Sequence, residues 1–198
     1  MVDPPTHALV ERQQRLQDEA VALRSELGID AILGAVGEPV VVGSAAIGLM
    51  TWRDLDITVV CERLDQGGVL AVAQAIGMLS GVHAVHFRND TGRWNTDPGY
   101  PDGLFLGVEC TAQSGEAWSL DIWFVDEPDR QPDLADIASL PARLDDEKRL
   151  AILTIKTAWC DQPAYGSEVT SHQIYEAVLD HGVRTIDEFE AHRSGEDA

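Results

Sequence analysis

Leu9, Leu16, Ala20, Leu23 and Leu27 recur at helical spacing, and Gly28 stops the run, so the pattern predicts a helix over 6–27. A short apolar segment predicts a buried strand over 39–43, followed by a short helix over 44–50. Residues 53–61 alternate between apolar and polar and predict a second strand. An amphipathic helix is expected over 66–80, ended by Gly81, and a third strand over 82–88. Two further strands, 104–113 and 116–125, form a hairpin around Ser114-Gly115. Past Asp126 the chain turns rich in Pro and Asp, which reads as a linker with a short helix over 132–139. Helices over 144–160, 168–181 and 185–192 follow, then a frayed SGEDA tail. The predicted fold class is α/β (α+β): a small mixed sheet flanked by helices over 1–130, then a C-terminal helical region over 131–198.

The chemistry sits on the strands. In DLDITVV, Asp54, Asp56 and Thr58 share one face, while Leu55, Ile57 and Val59 take the other. Side-by-side carboxylates repel unless a cation lies between them. Asp-x-Asp alone is more often an edge strand with a polar face. Gly43-Ser44, just ahead, changes that weighting. Gly43 lets the backbone approach a phosphate, and Ser44 opens a short helix whose N-terminus favours anions. Asp121 lies in a second apolar run, WSLDIWFV. Three carboxylates on two strands behind a small turn suit a two-magnesium phosphoryl-transfer site.

If the apolar sets of the hairpin share a face, residue 110 faces 120 and 108 faces 122, around a Ser114-Gly115-Glu116 loop. That register sets Glu109 opposite Asp121, either as a general base or as a solvated strand residue. Lys156 lies on an apolar helical stretch and needs an anionic partner, a snorkelling path or a local carboxylate. A triphosphate would be one such partner. The loop NDTGRWNTDPGYPDG, 89–103, is long for a compact domain. Its Trp94 and Tyr100 either stack on a ring or anchor the loop.

Composition narrows the partners. Net charge is −20, from 34 acids against 14 bases, which argues against a nucleic-acid substrate. An acidic surface suits a cationic small substrate or solubility alone. Cys61, Cys110 and Cys160 show no disulfide or zinc spacing. MVDPPTHALVERQQ has no apolar signal region, and Pro39 and several glycines break the apolar 31–50 stretch, so no membrane span is expected. The expected setting is cytoplasmic.

Gly43-Ser44, a nine-residue spacer and Asp54-Leu55-Asp56-Ile57, with Asp121 on a later strand, resemble the signature of the DNA polymerase β-like nucleotidyltransferase superfamily. The resemblance covers roughly residues 39–126. Size and helical C-terminus are similar to its minimal and antibiotic-modifying members, of the lincosamide and aminoglycoside type. The spacer AAIGLMTWR departs from the pattern in being unusually apolar. The resemblance implies a nucleotidyltransferase fold and magnesium-dependent transfer of a nucleoside monophosphate, AMP from ATP first, to a hydroxyl of a small acceptor. It implies that Asp54 and Asp56 hold two magnesium ions and Asp121 the one nearer the acceptor. Gly43, Ser44 and Lys156 would then bind the nucleotide. The alternative is a nucleotidyltransferase-like antitoxin or regulatory module acting on a protein partner.

Overall fold

The computed structural model describes residues 4–195. The first three residues, and the last three of the SGEDA tail, lie outside the described residues. Helix α1 (Pro4–Leu27) is followed at once by a short α2 (Ile29–Leu33) that periodicity did not predict. Then come β1 (Glu38–Val41), α3 (Gly43–Ile47), β2 (Asp54–Val60), α4 (Gln66–Gly77) and β3 (Val82–Asp90). The hairpin β4 (Gly103–Thr111) and β5 (Ala117–Val125) precedes α5 (Pro132–Ser139), α6 (Asp146–Trp159), α7 (Ser171–Asp180) and α8 (Ile186–Ser194). Helices α7 and α8 open with capping boxes, Thr170 with Gln173 and Thr185 with Glu188, which satisfy backbone donors at each start.

Among the described residues, five strands form one mixed sheet in the order β1-β2-β5-β4-β3. Only β2 and β5 run parallel. The period of two divides it into an apolar and a chemical face. On the apolar face, Leu55, Ile57, Val59, Leu104, Leu106, Val108, Leu120, Ile122 and Phe124 pack against α1, α2 and α4. A second apolar cluster joins α6, α7 and α8.

Two residues of that second cluster, Ile47 at the end of α3 and Leu49 just after it, come from the apolar spacer that leads into β2, while Met50 enters the sheet core. The spacer is apolar because it is clamped between both cores. Burial of such side chains contributes roughly 1.5–3 kcal/mol each. Two cations from α6 fasten the same segment. Arg149 Nη1 donates to the carbonyls of Ile47 and Gly48, each at 2.7 Å, and Lys156 Nζ donates to Leu49 O at 2.9 Å.

The hairpin register differs from the expected one. Gly107 lies opposite Asp121, Val108 opposite Leu120 and Cys110 opposite Trp118. Ala112 N donates to Glu116 O, which encloses Gln113-Ser114-Gly115 as the loop. Turn chemistry accounts for the shift: a three-residue loop wants its left-handed residue last, and Gly115 takes that place at φ 91°. The apolar faces still match, because a shift of two positions leaves every side chain on its side.

Candidate active site

Asp54, Asp56 and Asp121 stand on one face of the sheet. Asp56 and Asp121 are direct partners on the adjacent parallel strands, and Asp54 is partnered by Ser119. All three are half-buried. The turn ahead of α3 presses on them. Gly43 has φ +61°, and a Cβ added to it would fall on Asp56 Oδ2, 2.8 Å from Cγ and 3.0 Å from Cβ. Only a glycine, then, brings this backbone against the Asp56 carboxylate. Ser44 follows, half-buried, with its hydroxyl unbonded to any described residue.

The electrostatics follow from that crowding. Burial, then the charge of Asp121, pushes Asp54 up to about 6, with Trp52, Lys156 and the Leu55 amide pulling back. Burial, then Asp54, Asp121 and Asp133, pushes Asp56 up to about 8. Asp121 is raised by burial, and Arg88 draws it down. Anions forced together in a poorly solvated corner are stable as carboxylates only beside a cation.

Among the described residues, no three His, Cys, Asp or Glu side chains lie close enough to enclose an ion on their own. Magnesium takes one or two carboxylates and completes its shell with water and substrate phosphate oxygens. The donor set is all oxygen, and the Gly43 backbone leaves room where a side chain would fill the corner. The residues therefore fit a magnesium ion.

Two sequence expectations give way here. Glu109 does not face Asp121; it lies opposite Ser119, 54% exposed, and pairs with His83 at 3.3 Å. The register that suggested a general base has moved it one row along the strand. Lys156 does not open into a cleft. It is 0% exposed, with Nζ bonded to Leu49 O and to Tyr175 Oη at 3.2 Å, and it lies 4.9 Å from the Trp52 ring centre. Burial pushes its pKa down, and Tyr165, Asp56 and Asp54 hold it up. Its partners are a carbonyl, the Tyr175 hydroxyl and aromatic faces, because its helix packs on the 47–52 segment and on α7.

Other residues enter unannounced. Asp133 of α5 acts on Asp56, although it lies in what reads as a linker. Gly107, opposite Asp121, makes room for the Phe105 ring, which a Cβ there would meet at 3.2 Å. Arg88 stacks over Phe105 and Trp123, at 4.7 and 5.3 Å. Arg53, the last residue of the spacer, is tied to Glu19 at 2.8 Å and Glu116 at 3.1 Å.

Solved structures share this architecture. The Cid1 poly(U) polymerase aligns with TM-score 0.61 at 17% identity, over 92% of this chain and 55% of that one. Cid1 in complex with its short product ApU aligns with TM-score 0.59 at 16% identity, over 88% and 53%. CdnC of E. coli MS115-1, with ATP, aligns with TM-score 0.50 at 15% identity, over 98% and 71%. The chain has a nucleotidyltransferase fold. It spans about half the length of the Cid1 structures it matches. Neither a family model nor a curated protein matches the sequence. Among the described residues, no helix is long and apolar enough to cross a membrane.

Proposed function

We propose that the protein is a nucleotidyltransferase, transferring a nucleoside monophosphate from an NTP, taken here as ATP, to a hydroxyl of a small acceptor with release of pyrophosphate. One observation carries the reading: Asp56 and Asp121 are paired across parallel strands, Asp54 is on the same face, and Gly43 lies against Asp56. The shared fold with a poly(U) polymerase and with an ATP-bound CdnC supports the donor class.

Asp54 and Asp56 would hold two magnesium ions, with Asp121 on the acceptor side. Magnesium, when bound, neutralises phosphate charge and makes a nearby hydroxyl easier to deprotonate. Gly43 and Ser44 lie at the β1 side of the acids and present backbone and hydroxyl to the donor phosphates. Lys156 acts from within: it fixes Leu49 O, and with it the segment that carries both Ser44 and Asp54. Glu109 is given no part. A net charge of −20 works against a long polyanionic acceptor, so the acceptor is assigned as small. A cytoplasmic setting accords with three free cysteines, Cys61, Cys110 and Cys160.

Calorimetric titration of ATP with and without magnesium tests this. Binding should require magnesium and weaken at least about tenfold in Asp56→Asn. Equal binding without the ion, or in the variant, would remove the basis of the proposal.

A further inference from the structure

We infer that the cavity between the 89–103 loop and the sheet is the acceptor subsite, and that it takes a planar aromatic ring carried by the acceptor. The assignment of an acceptor rests on the transfer reading above; the ring chemistry rests on the cavity itself.

The cavity measures about 420 Å³, within the range of small-ligand sites, and Arg88, Asp90, Trp94, Tyr100, Pro101 and Trp123 line it. Among the exposed large hydrophobic residues described, Trp94 (54%) and Tyr100 (44%) are the aromatic ones, and both face this space. They do not serve to anchor the loop, since an anchor would be buried. Polar bonds hold the loop instead. Gly92 N donates to Asp102 at 2.9 Å, and Asn95 Nδ2 donates to Tyr100 O and to Asp102, each at 3.2 Å. Arg130 Nη2 also donates to Tyr100 O, at 3.3 Å. A pinned loop that keeps two rings out of the core displays them. Beneath them, Phe105 and Trp123 lie 5.0 Å apart, with the Arg88 guanidinium over both. The lining thus holds three aromatic residues, Trp94, Tyr100 and Trp123, with the Arg88 guanidinium over the Trp123 ring.

Its position gives it a role. Trp123 follows Asp121 on the same face of β5, and the Arg88 charge acts on Asp121. Gly43-Ser44 follow β1, at the other end of the order β1-β2-β5-β4-β3. The acids therefore lie between the phosphate turn and the aromatic cavity. A transferred phosphoryl group needs this arrangement, with donor and acceptor on opposite sides. Arg88 is matched by Asp90 at 2.8 Å, Asp97 adds a second carboxylate to the lining, and Arg93 lies over the Trp94 ring at 4.6 Å, so the lining favours ring stacking over a phosphate. A nucleoside base and the aryl group of a small alcohol share the required flat ring. A saturated aminocyclitol lacks it.

The test uses protein saturated with magnesium and a non-hydrolysable ATP analogue, so the donor site is filled. Nucleosides, aryl alcohols and a saturated aminocyclitol are then titrated by calorimetry into wild type, Trp94→Ala and Tyr100→Ala. Both side chains are exposed, so the variants should fold. Ring compounds should bind wild type and weaken about tenfold to a hundredfold in the variants, with the analogue still bound. Which ring class binds tells a nucleoside acceptor from an aryl one. Preference for the aminocyclitol, or ring binding unchanged in both variants, overturns the inference and leaves the transfer reading standing. Loss of analogue binding in the variants makes the cavity a donor site and overturns it too. Failure of wild type to bind the analogue with magnesium sinks the transfer reading, and the acceptor role with it.

Discussion

Replacing Gly43 with alanine should damage both stability and chemistry, by separable amounts. At φ +61° an L-residue costs roughly 1–2 kcal/mol. For a chain of this size each kcal/mol moves the melting temperature by about 2–4 °C, so the fall should be roughly 2–8 °C. The second effect is geometric. The new Cβ lies 2.8 Å from Asp56 Cγ and 3.0 Å from its Cβ, where carbon contacts settle at about 3.5–4.0 Å. Rotating the carboxylate away relieves Oδ2 but not Cβ, which moves only with the backbone. The strand or the turn must therefore retreat by a sizeable fraction of an ångström. Displacements on the order of 1 Å cost about a hundredfold in rate. Gly182→Ala is the control: its φ is +73°, and nothing lies within 4 Å of the added Cβ. It should show a similar melting loss with donor binding and transfer intact. Scanning calorimetry and titration with magnesium and ATP read the two effects. Unchanged donor binding and transfer in Gly43→Ala, or an equal functional loss in Gly182→Ala, would refute the packing of Gly43 on Asp56.

Three further outcomes are expected. Without magnesium, the raised Asp54 and Asp56 favour the protonated fold, so their stabilising contribution is present below about pH 4 and lost as pH rises through about 6 and about 8; melting curves at pH 5 and pH 8.5 should differ by several degrees, and saturating magnesium should close the gap. Glu109→Gln should leave the transfer rate within about threefold of wild type in a steady-state assay, since a true general base would cost about 10²–10⁴-fold. Lys156→Met should change ATP and AMP affinities equally in parallel titrations, because the ammonium is fully buried and bonded to Leu49 O and Tyr175 Oη; a selective loss of ATP would restore the phosphate contact.

The acid face was legible because strand periodicity is a local property: the alternation that buries Leu55 and Ile57 must turn Asp54 and Asp56 the other way. The pairing of Asp56 with Asp121 was not, since it joins strands separated by more than fifty residues in a register that the apolar pattern leaves free by steps of two. The same freedom misplaced Glu109, and the conformational demand on Gly115 settled it. Lys156 was rightly marked as a charge among apolar neighbours, but its partners are a carbonyl and a hydroxyl from distant segments that no spacing reveals. The apolar spacer, a departure from the family pattern, has its cause in Ile47 and Leu49, which enter the helical core. Helix α2 gives no periodic signal because five residues cannot show a period.

In the proposed reaction the α-phosphorus of the nucleotide is the atom transferred. Incubation with magnesium and ATP labelled at either the α or the γ position, over a panel of ring-bearing alcohols, tests it most directly. Nucleotidyl transfer should put α-label on the acceptor and release γ-label as pyrophosphate, with neither in Asp121→Asn. Transfer of the γ-label, or its release as inorganic phosphate with the α-label left on ADP, would contradict it.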